Sequence, residues 1–156
     1  MQLIYLYIEN YKNIQNQGFN FTTQFKCDYK DGNLTIDKNE NYIENFFGDN
    51  IEVSAIVGEN GSGKSSVFEI IAKIISNDIT DLKYILITQE DRLKIYKNVD
   101  VKIIDNKLNI QNGELKNKYY IFHSNSFTSG YFDDLLDSFS SKNYKYFDES
   151  KIRNQS

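Results

Sequence analysis

The sequence predicts a mixed α/β domain, and three observations support this fold class. Strand-like segments occupy the first part of the chain, up to a glycine-rich loop at residues 58–65. Apolar residues then recur at helical spacing over residues 67–75, and beyond this helix the apolar period changes from 3.6 to 2. The regular strand–helix alternation of a nucleotide kinase is not seen, so the sheet should be mixed. A length of 156 residues fits one domain with a real core.

Before the glycine-rich loop, apolar alternation and turn residues define the expected elements. Residues 2–9 read as a strand that is apolar on both faces towards its middle, and residues 10–14 break it. Phe19, Phe21 and Phe25 indicate a second strand over residues 18–26. The remaining expectations are a turn at 31–33, a short strand at 34–36 and a polar surface connection over 38–50.

A glycine-rich loop of this type requires a strand before it and a helix after it, and the sequence predicts both. Residues 51–57 become fully apolar just before Gly58, which predicts a buried strand. Residues 67–75 are apolar nearly all round, which predicts a helix buried between layers. Residues 76–78 carry a helix stop signal.

The second half of the chain should consist mainly of antiparallel hairpins. One hairpin is predicted from residues 84–88 and 93–96, and another from residues 101–104 and 108–110. A short apolar strand at 119–122, a loop at 124–130 and a helix beginning at 131–136 should follow. The domain is expected to span residues 1–139, with a polar tail over 140–156.

The loop from Gly58 to Ser65 fits the pattern G-x-x-x-x-G-K-[ST], the phosphate-binding P-loop or Walker A motif. A phosphate chain concentrates negative charge, and many backbone N–H groups can approach it only where side chains are small. Lys64 should reach the β- and γ-phosphates, and the Ser65 hydroxyl should bind Mg²⁺. The predicted nucleotide-binding residues of the loop are Gly58, Glu59, Asn60, Gly61, Ser62, Gly63, Lys64, Ser65 and Ser66.

Composition restricts the other classes of function. The net charge of −4 argues against a generally basic nucleic-acid binder, although it leaves a local patch possible. Cys27 is the only cysteine, which leaves no intrachain disulfide and fits a reducing cytosol. No signal peptide and no apolar run of membrane-spanning length is evident, so the sequence predicts a cytoplasmic protein without a membrane partner.

Three segments of the chain resemble the SMC/RecF-type ATPases of the ABC-ATPase superfamily. They are LIYLYIENYKNI followed by GFNF near the start, AIVGENGSGKSS at the P-loop, and YYIFHSNSF after the hairpins. The class includes bacterial ATPases of the overcoming-lysogenization-defect type and related phage-defence ATPases. The resemblance, over about residues 1–130, implies an ABC-type head that binds Mg-ATP and dimerises around two nucleotides, as a homodimer or with a partner head. It also implies DNA or a nuclease as a partner of the full-length protein.

The same resemblance extends to three residues outside the P-loop. It implies that Lys12 and Asn13 lie close to the nucleotide, with the basic residue facing phosphates or sensing DNA; a solvated loop lysine is the alternative. Asn125 stands where the family has a glutamine that helps to hold Mg²⁺ and the attacking water. A plain turn asparagine is the alternative interpretation of Asn125.

The sequence departs from the family at the groups that perform hydrolysis. It contains no Walker B strand ending in Asp-Glu, no signature loop and no switch histidine. Residues 101–105 end in Asp105, but Lys102 interrupts the apolar run; residues 86–91 place their acids in a turn. We therefore expect the first lobe of a two-lobe ATPase, which needs a second lobe for turnover. The alternatives are a complete small NTPase or kinase that uses Asp105, and a non-enzymatic interaction domain.

Overall fold

The computed structural model describes residues 1–49, 51–76, 81–105, 108–114, 120–124 and 144–148. These residues form strands and one helix, which confirms the α/β class with mixed sheets, although strands predominate. The strands are β1 (Gln2–Tyr11), β2 (Ile14–Asn20), β3 (Phe25–Lys30), β4 (Asn33–Lys38), β5 (Tyr84–Gln89), β6 (Leu93–Lys97), β7 (Lys102–Asp105), β8 (Ile110–Asn112), β9 (Tyr120–Ser124) and β10 (Tyr144–Asp148); the helix is α1 (Lys64–Ser76).

A five-stranded sheet with the order β2-β1-β5-β6-β8 contains the most deeply buried strands. β1 pairs antiparallel with both β2 and β5, and the β1–β2 hairpin closes where Tyr11 pairs with Ile14. Side chains on both faces of β1 are buried, as shown by Leu6 and Ile8 on one face and Tyr5 and Tyr7 on the other. The apolar run from residue 3 to residue 8 is therefore that of a central strand.

A second sheet, with the order β3-β4-β7, shares a core with the first. β3 and β4 form a hairpin around Asp31 and Gly32, both with positive φ, which confirms the predicted turn. The shared core consists of side chains from the two sheets, at alternate positions except at Ile4 and Tyr5, where the pairing of β1 with β5 shifts register. Its members are Ile4, Tyr5, Tyr7, Phe25, Cys27, Leu34, Ile36, Ile85, Ile87, Leu93 and Ile95.

Two expected strand arrangements are wrong. The strand expected over residues 18–26 is divided by residues 21–24 into β2 and β3. Asn20, the last residue of β2 and paired with Tyr5 on β1, bonds the backbone of Cys27 on β3 through its side chain. The hairpin expected from residues 101–110 does not form: β7 pairs parallel with β4, and β8 pairs parallel with β6. The 84–96 hairpin is confirmed as β5–β6.

The chain divides into two compact units. The first comprises Met1–Phe68 with Thr80–Glu114, and the second comprises Glu69–Ile79 with Leu115–Ser156. Within the second unit, β9 and β10 pair in parallel, with Tyr144 opposite Tyr120. A regular strand at residues 144–148 was not expected in the polar tail. The loop was expected at 124–130, but Ser124 is the last residue of β9. The rest of that loop, the helix expected at 131–136 and the boundary at 139–140 lie outside the described residues.

No helix within the described ranges combines the length and the apolar character needed to cross a membrane.

Candidate functional site

The glycine-rich loop takes a conformation that its glycines make possible. Gly61 has φ of 81° and Gly63 has φ of 98°, both in the left-handed region that residues with a Cβ rarely adopt. The backbone N–H of Ser62 donates to the carbonyl O of Glu59 at 3.2 Å, which closes a turn at Asn60 and Gly61. A Cβ on Gly58 would lie 2.5 Å from the Oγ of Ser62, so the first glycine is required for close packing inside the loop.

The loop leads directly into α1. The carbonyl of Gly63 accepts a bond of 3.0 Å from the N–H of Val67, the first bond of the helical ladder. The backbone N–H groups in the first turn of a helix have no partner within that helix, and they carry the positive end of its dipole. The first turn contains no acidic residue that would repel an anion. Ser65 is exposed there, whereas Ser66 is buried.

The turn of the β1–β2 hairpin holds the loop from one side. The side-chain amide of Asn13 donates to the carbonyl O of Gly61 at 2.6 Å. A Cβ on Gly63 would lie 3.2 Å from the Oδ1 of Asn13 and 3.2 Å from the Cγ1 of Ile14. Asn13 and Ile14 therefore fix the loop at two glycines. The sequence pointed to Asn13 but carried no signal for Ile14, because the contact of Ile14 with Gly63 joins residues about fifty positions apart in the chain.

Lys64 carries the positive charge of the loop. Its Nζ donates to the carbonyl O of Gly58 at 2.8 Å and to that of Glu59 at 2.6 Å. The ammonium group is thus bonded to the backbone at the start of the loop, and the side chain is partly exposed. A charged phosphate oxygen is a stronger acceptor for an ammonium group than a backbone carbonyl oxygen is.

The three residues added by the resemblance differ in how the structure places them. Asn13 contacts the loop, as described above. Lys12 is an exposed turn residue with φ of 52°, and its Nζ lies 5.5 Å from the ring centroid of Tyr11. Asn125 lies outside the described residues.

The buried strand expected at residues 51–57 is wrong. These residues belong to no strand, and Val53 and Val57 are 57% and 89% exposed. A strand forms only where a neighbour pairs with its backbone, and no described strand pairs with this segment. A side-chain hydrogen bond holds the segment instead, since the Ser54 hydroxyl donates to the carbonyl O of Phe21.

Neither acidic segment considered from the sequence is a Walker B strand in the described residues. β7 has β4 as its only described neighbour, and Ile104 is half-exposed, so Asp105 does not end a strand buried on both faces. Glu90 and Asp91 lie in the β5–β6 turn, where Glu90 pairs with Lys94 at 2.5 Å. The described residues contain no group of three His, Cys, Asp or Glu side chains that could hold a metal ion.

Comparison of the chain with protein-family models, with curated proteins and with solved structures gave no match.

Proposed function

We propose that this chain is the Mg-ATP-binding lobe of an SMC/RecF-like ATPase. The observation that carries the proposal is the glycine-rich loop, which has two glycines at positive φ, opens α1 and is held by Asn13. Binding of a phosphate chain requires backbone N–H groups that converge on one point, and a glycine-rich loop at the N-terminus of a helix is the usual source of such groups. The preference for ATP and the assignment to this family rest on the sequence resemblance.

Each group at the site fits a magnesium–triphosphate. The backbone N–H groups at the start of α1 would bind phosphate oxygens, and Lys64 would neutralise part of their charge. The exposed hydroxyl of Ser65 would bind Mg²⁺, a cation that commonly takes one or two protein ligands and completes its shell with phosphates and water. Glycine at position 61 leaves the outer side of the loop open, since a Cβ there would meet no atom within 4 Å.

Hydrolysis requires more than these groups. An attacking water must be oriented and activated, a role that a carboxylate next to the metal takes in this class of reaction. In the described residues β7 is not a central buried strand, and Glu90 pairs with Lys94. We therefore propose that a further lobe, or a partner head contributed through the ATP site, supplies this carboxylate. In its full-length form the protein would act as an ATP-driven clamp or sensor in DNA-related processes or phage defence, with DNA or a nuclease as partner.

The proposal predicts that Lys64→Ala weakens Mg-ATP binding by at least about tenfold, because one charge-assisted hydrogen bond to phosphate is lost. Isothermal titration of Mg-ATP and Mg-GTP into both proteins measures this change. Lys73→Ala is the matched control, because Lys73 lies on the same helix in its last turn and pairs with Glu69 at 3.8 Å. The control should bind Mg-ATP like the parent chain.

Released phosphate, assayed in the same samples, separates this proposal from its alternatives. Binding without phosphate release supports a lobe that awaits its complement. Phosphate release that is lost on Asp105→Ala would instead identify a complete small NTPase. If isothermal titration shows the same Mg-ATP binding, or the same absence of it, for the parent chain and Lys64→Ala, the proposal is contradicted. The loop would then be a structural element of an interaction domain.

A further inference from the structure

A cluster of apolar side chains is exposed on the segment that precedes the glycine-rich loop. Phe46 is 70% exposed, Ile43 65% and Phe47 54%, and Ile51 and Val53 are also more than half exposed. Phe46 and Phe47 stack edge to face, with ring centroids 5.0 Å apart. Single exposed apolar residues are ordinary, but a cluster of this kind marks an interaction surface. We call residues 39–49 and 51–53 the acidic-aromatic loop.

The acidic-aromatic loop is held in place at both ends by the same short segment, residues 21–24. At its start, the backbone N–H of Asn39 donates to the carbonyl O of Gln24 at 2.8 Å, and its side-chain amide donates to that of Thr23 at 2.9 Å. At its end, the carboxylate of Glu52 accepts from Thr22 at 3.4 Å and from Tyr42 at 3.2 Å. The exposed aromatic residues are therefore presented by an anchored loop.

Internal turns fix the tip of this loop. Asn45 and Gly48 both have positive φ, and the N–H of Gly48 donates to the carbonyl O of Asn45 at 3.0 Å. The turn between them displays Phe46 and Phe47 side by side. A preformed aromatic surface loses little conformational entropy on binding, as favourable contact sites require.

Charge indicates what the surface binds. The acidic-aromatic loop carries four carboxylates, at Glu40, Glu44, Asp49 and Glu52, and no Lys or Arg. These acidic side chains are all exposed and surround the aromatic pair along the chain. A surface of this sign repels the phosphates of nucleic acid and attracts Lys and Arg side chains.

We propose that the acidic-aromatic loop is a docking site for a cationic, amphipathic segment of a partner protein. The apolar side chains of that segment would cover Phe46, Phe47 and Ile43, while its Lys or Arg residues would face the surrounding carboxylates. Charge complementarity selects this occupant, and exposed aromatic residues combined with charged residues close to them in the chain fit a protein–protein contact site. The proposal does not depend on the nucleotide-binding proposal, because it uses none of the residues of the glycine-rich loop.

The test uses a fluorescently labelled helical peptide of Leu and Lys in amphipathic order, and its Leu and Glu counterpart, with binding followed by anisotropy. The parent chain should bind the Lys peptide and not the Glu peptide. The double variant Phe46→Ser/Phe47→Ser should weaken binding by at least about tenfold, since buried aromatic anchors dominate such interfaces. Glu44→Gln/Asp49→Asn should weaken it several-fold and reduce its dependence on salt.

Phe68→Ser is the matched control, because Phe68 is an exposed aromatic residue on α1, outside the acidic-aromatic loop; it should bind the Lys peptide like the parent chain. Circular dichroism and the Mg-ATP titration should be unchanged in the Phe46→Ser/Phe47→Ser variant, which separates loss of docking from loss of fold. The proposal is overturned if the parent chain does not bind the Lys peptide, if all variants bind it equally, or if the Glu peptide binds as tightly. It is also overturned if sedimentation shows a self-association of the parent chain that this double variant abolishes, or if a labelled oligonucleotide binds the loop instead.

Discussion

At the scale of single residues, the backbone of the glycine-rich loop and that of an ordinary turn use glycine for different reasons. Gly32, in the β3–β4 turn, has φ of 78°, and a Cβ there would meet no atom within 4 Å. Gly63 has φ of 98° and would in addition bring a Cβ to 3.2 Å from both Asn13 and Ile14. Position 32 needs glycine for its backbone conformation alone, whereas position 63 needs glycine both for its backbone conformation and because a Cβ would crowd its neighbours.

We therefore expect Gly63→Ala to lower the free energy of unfolding by more than Gly32→Ala, for which backbone strain alone predicts about 1 kcal/mol. Urea denaturation of the two variants measures the difference. Gly63→Ala should also weaken Mg-ATP binding, since the loop must move away from Asn13, whereas Gly32→Ala should leave it unchanged. Equal losses of stability and equal nucleotide affinities would contradict the role given to the Gly63 contact.

At the scale of elements, side chains replace backbone pairing where the ladders are interrupted. Asn20 ends β2, and its amide forms two bonds with the backbone of Cys27: Nδ2 donates to the carbonyl O at 2.9 Å, and Oδ1 accepts from the N–H at 2.8 Å. One side chain thereby reproduces the bonding of a paired residue across β2 and β3. Such bonds are valuable because an unmade bond of a buried backbone group is costly.

Asn20→Ala should lower the free energy of unfolding by about 1–3 kcal/mol, because the N–H and carbonyl of Cys27 both lose their partner. Asn33→Ala is the control, since that amide forms a single exposed bond of 3.2 Å to the carbonyl O of Asp31. Asn33→Ala should change the free energy of unfolding by no more than about 0.5 kcal/mol, as most surface substitutions do. Chemical denaturation of both variants provides the measurement, and similar effects would show that the Asn20 bonds contribute little.

At the scale of the whole molecule, burial in the shared core raises the pKa of ionisable side chains, among them Cys27 and Tyr5. Burial raises the pKa of the Cys27 thiol from 9.0 to about 12, with a smaller contribution from the charge of Asp37. Burial likewise raises the pKa of the Tyr5 hydroxyl above its ordinary value of 10.0. Tyr5 also accepts a bond of 3.2 Å from the N–H of Tyr29, so its oxygen is part of the packing between β1 and β3.

The sign of the resulting pH dependence follows from proton binding. Above pH 9 the unfolded chain releases protons that the folded chain keeps, so the folded state is favoured at lower pH. The free energy of unfolding should be constant below pH 9 for these two groups and fall as pH rises further, by up to about 1.4 kcal/mol per pH unit for each group. Urea denaturation across this range measures the slope. Cys27→Ala should remove the decrease in the free energy of unfolding that begins near pH 9. A pH slope unchanged by this substitution would contradict the raised pKa given to the Cys27 thiol.

The sequence by itself determined those features that depend on neighbouring residues. The apolar run of β1, the turn at Asp31 and Gly32, the β5–β6 hairpin and the helix after Gly63 each follow from a local period or a local backbone requirement. The motif also located the glycine-rich loop. It did not show how Asn13 and Ile14 hold that loop, because this contact joins residues about fifty positions apart in the chain.

Only the tertiary structure decided which strands pair and which apolar residues are buried. Residues 51–57 have the composition of a buried strand, yet they belong to no strand, because apolar composition supplies no partner for the backbone. β7 and β8 are adjacent in sequence, yet they pair with β4 and β6 instead of with each other. Which strands pair depends on side-chain contacts across the whole core, and a local sequence pattern does not contain that information.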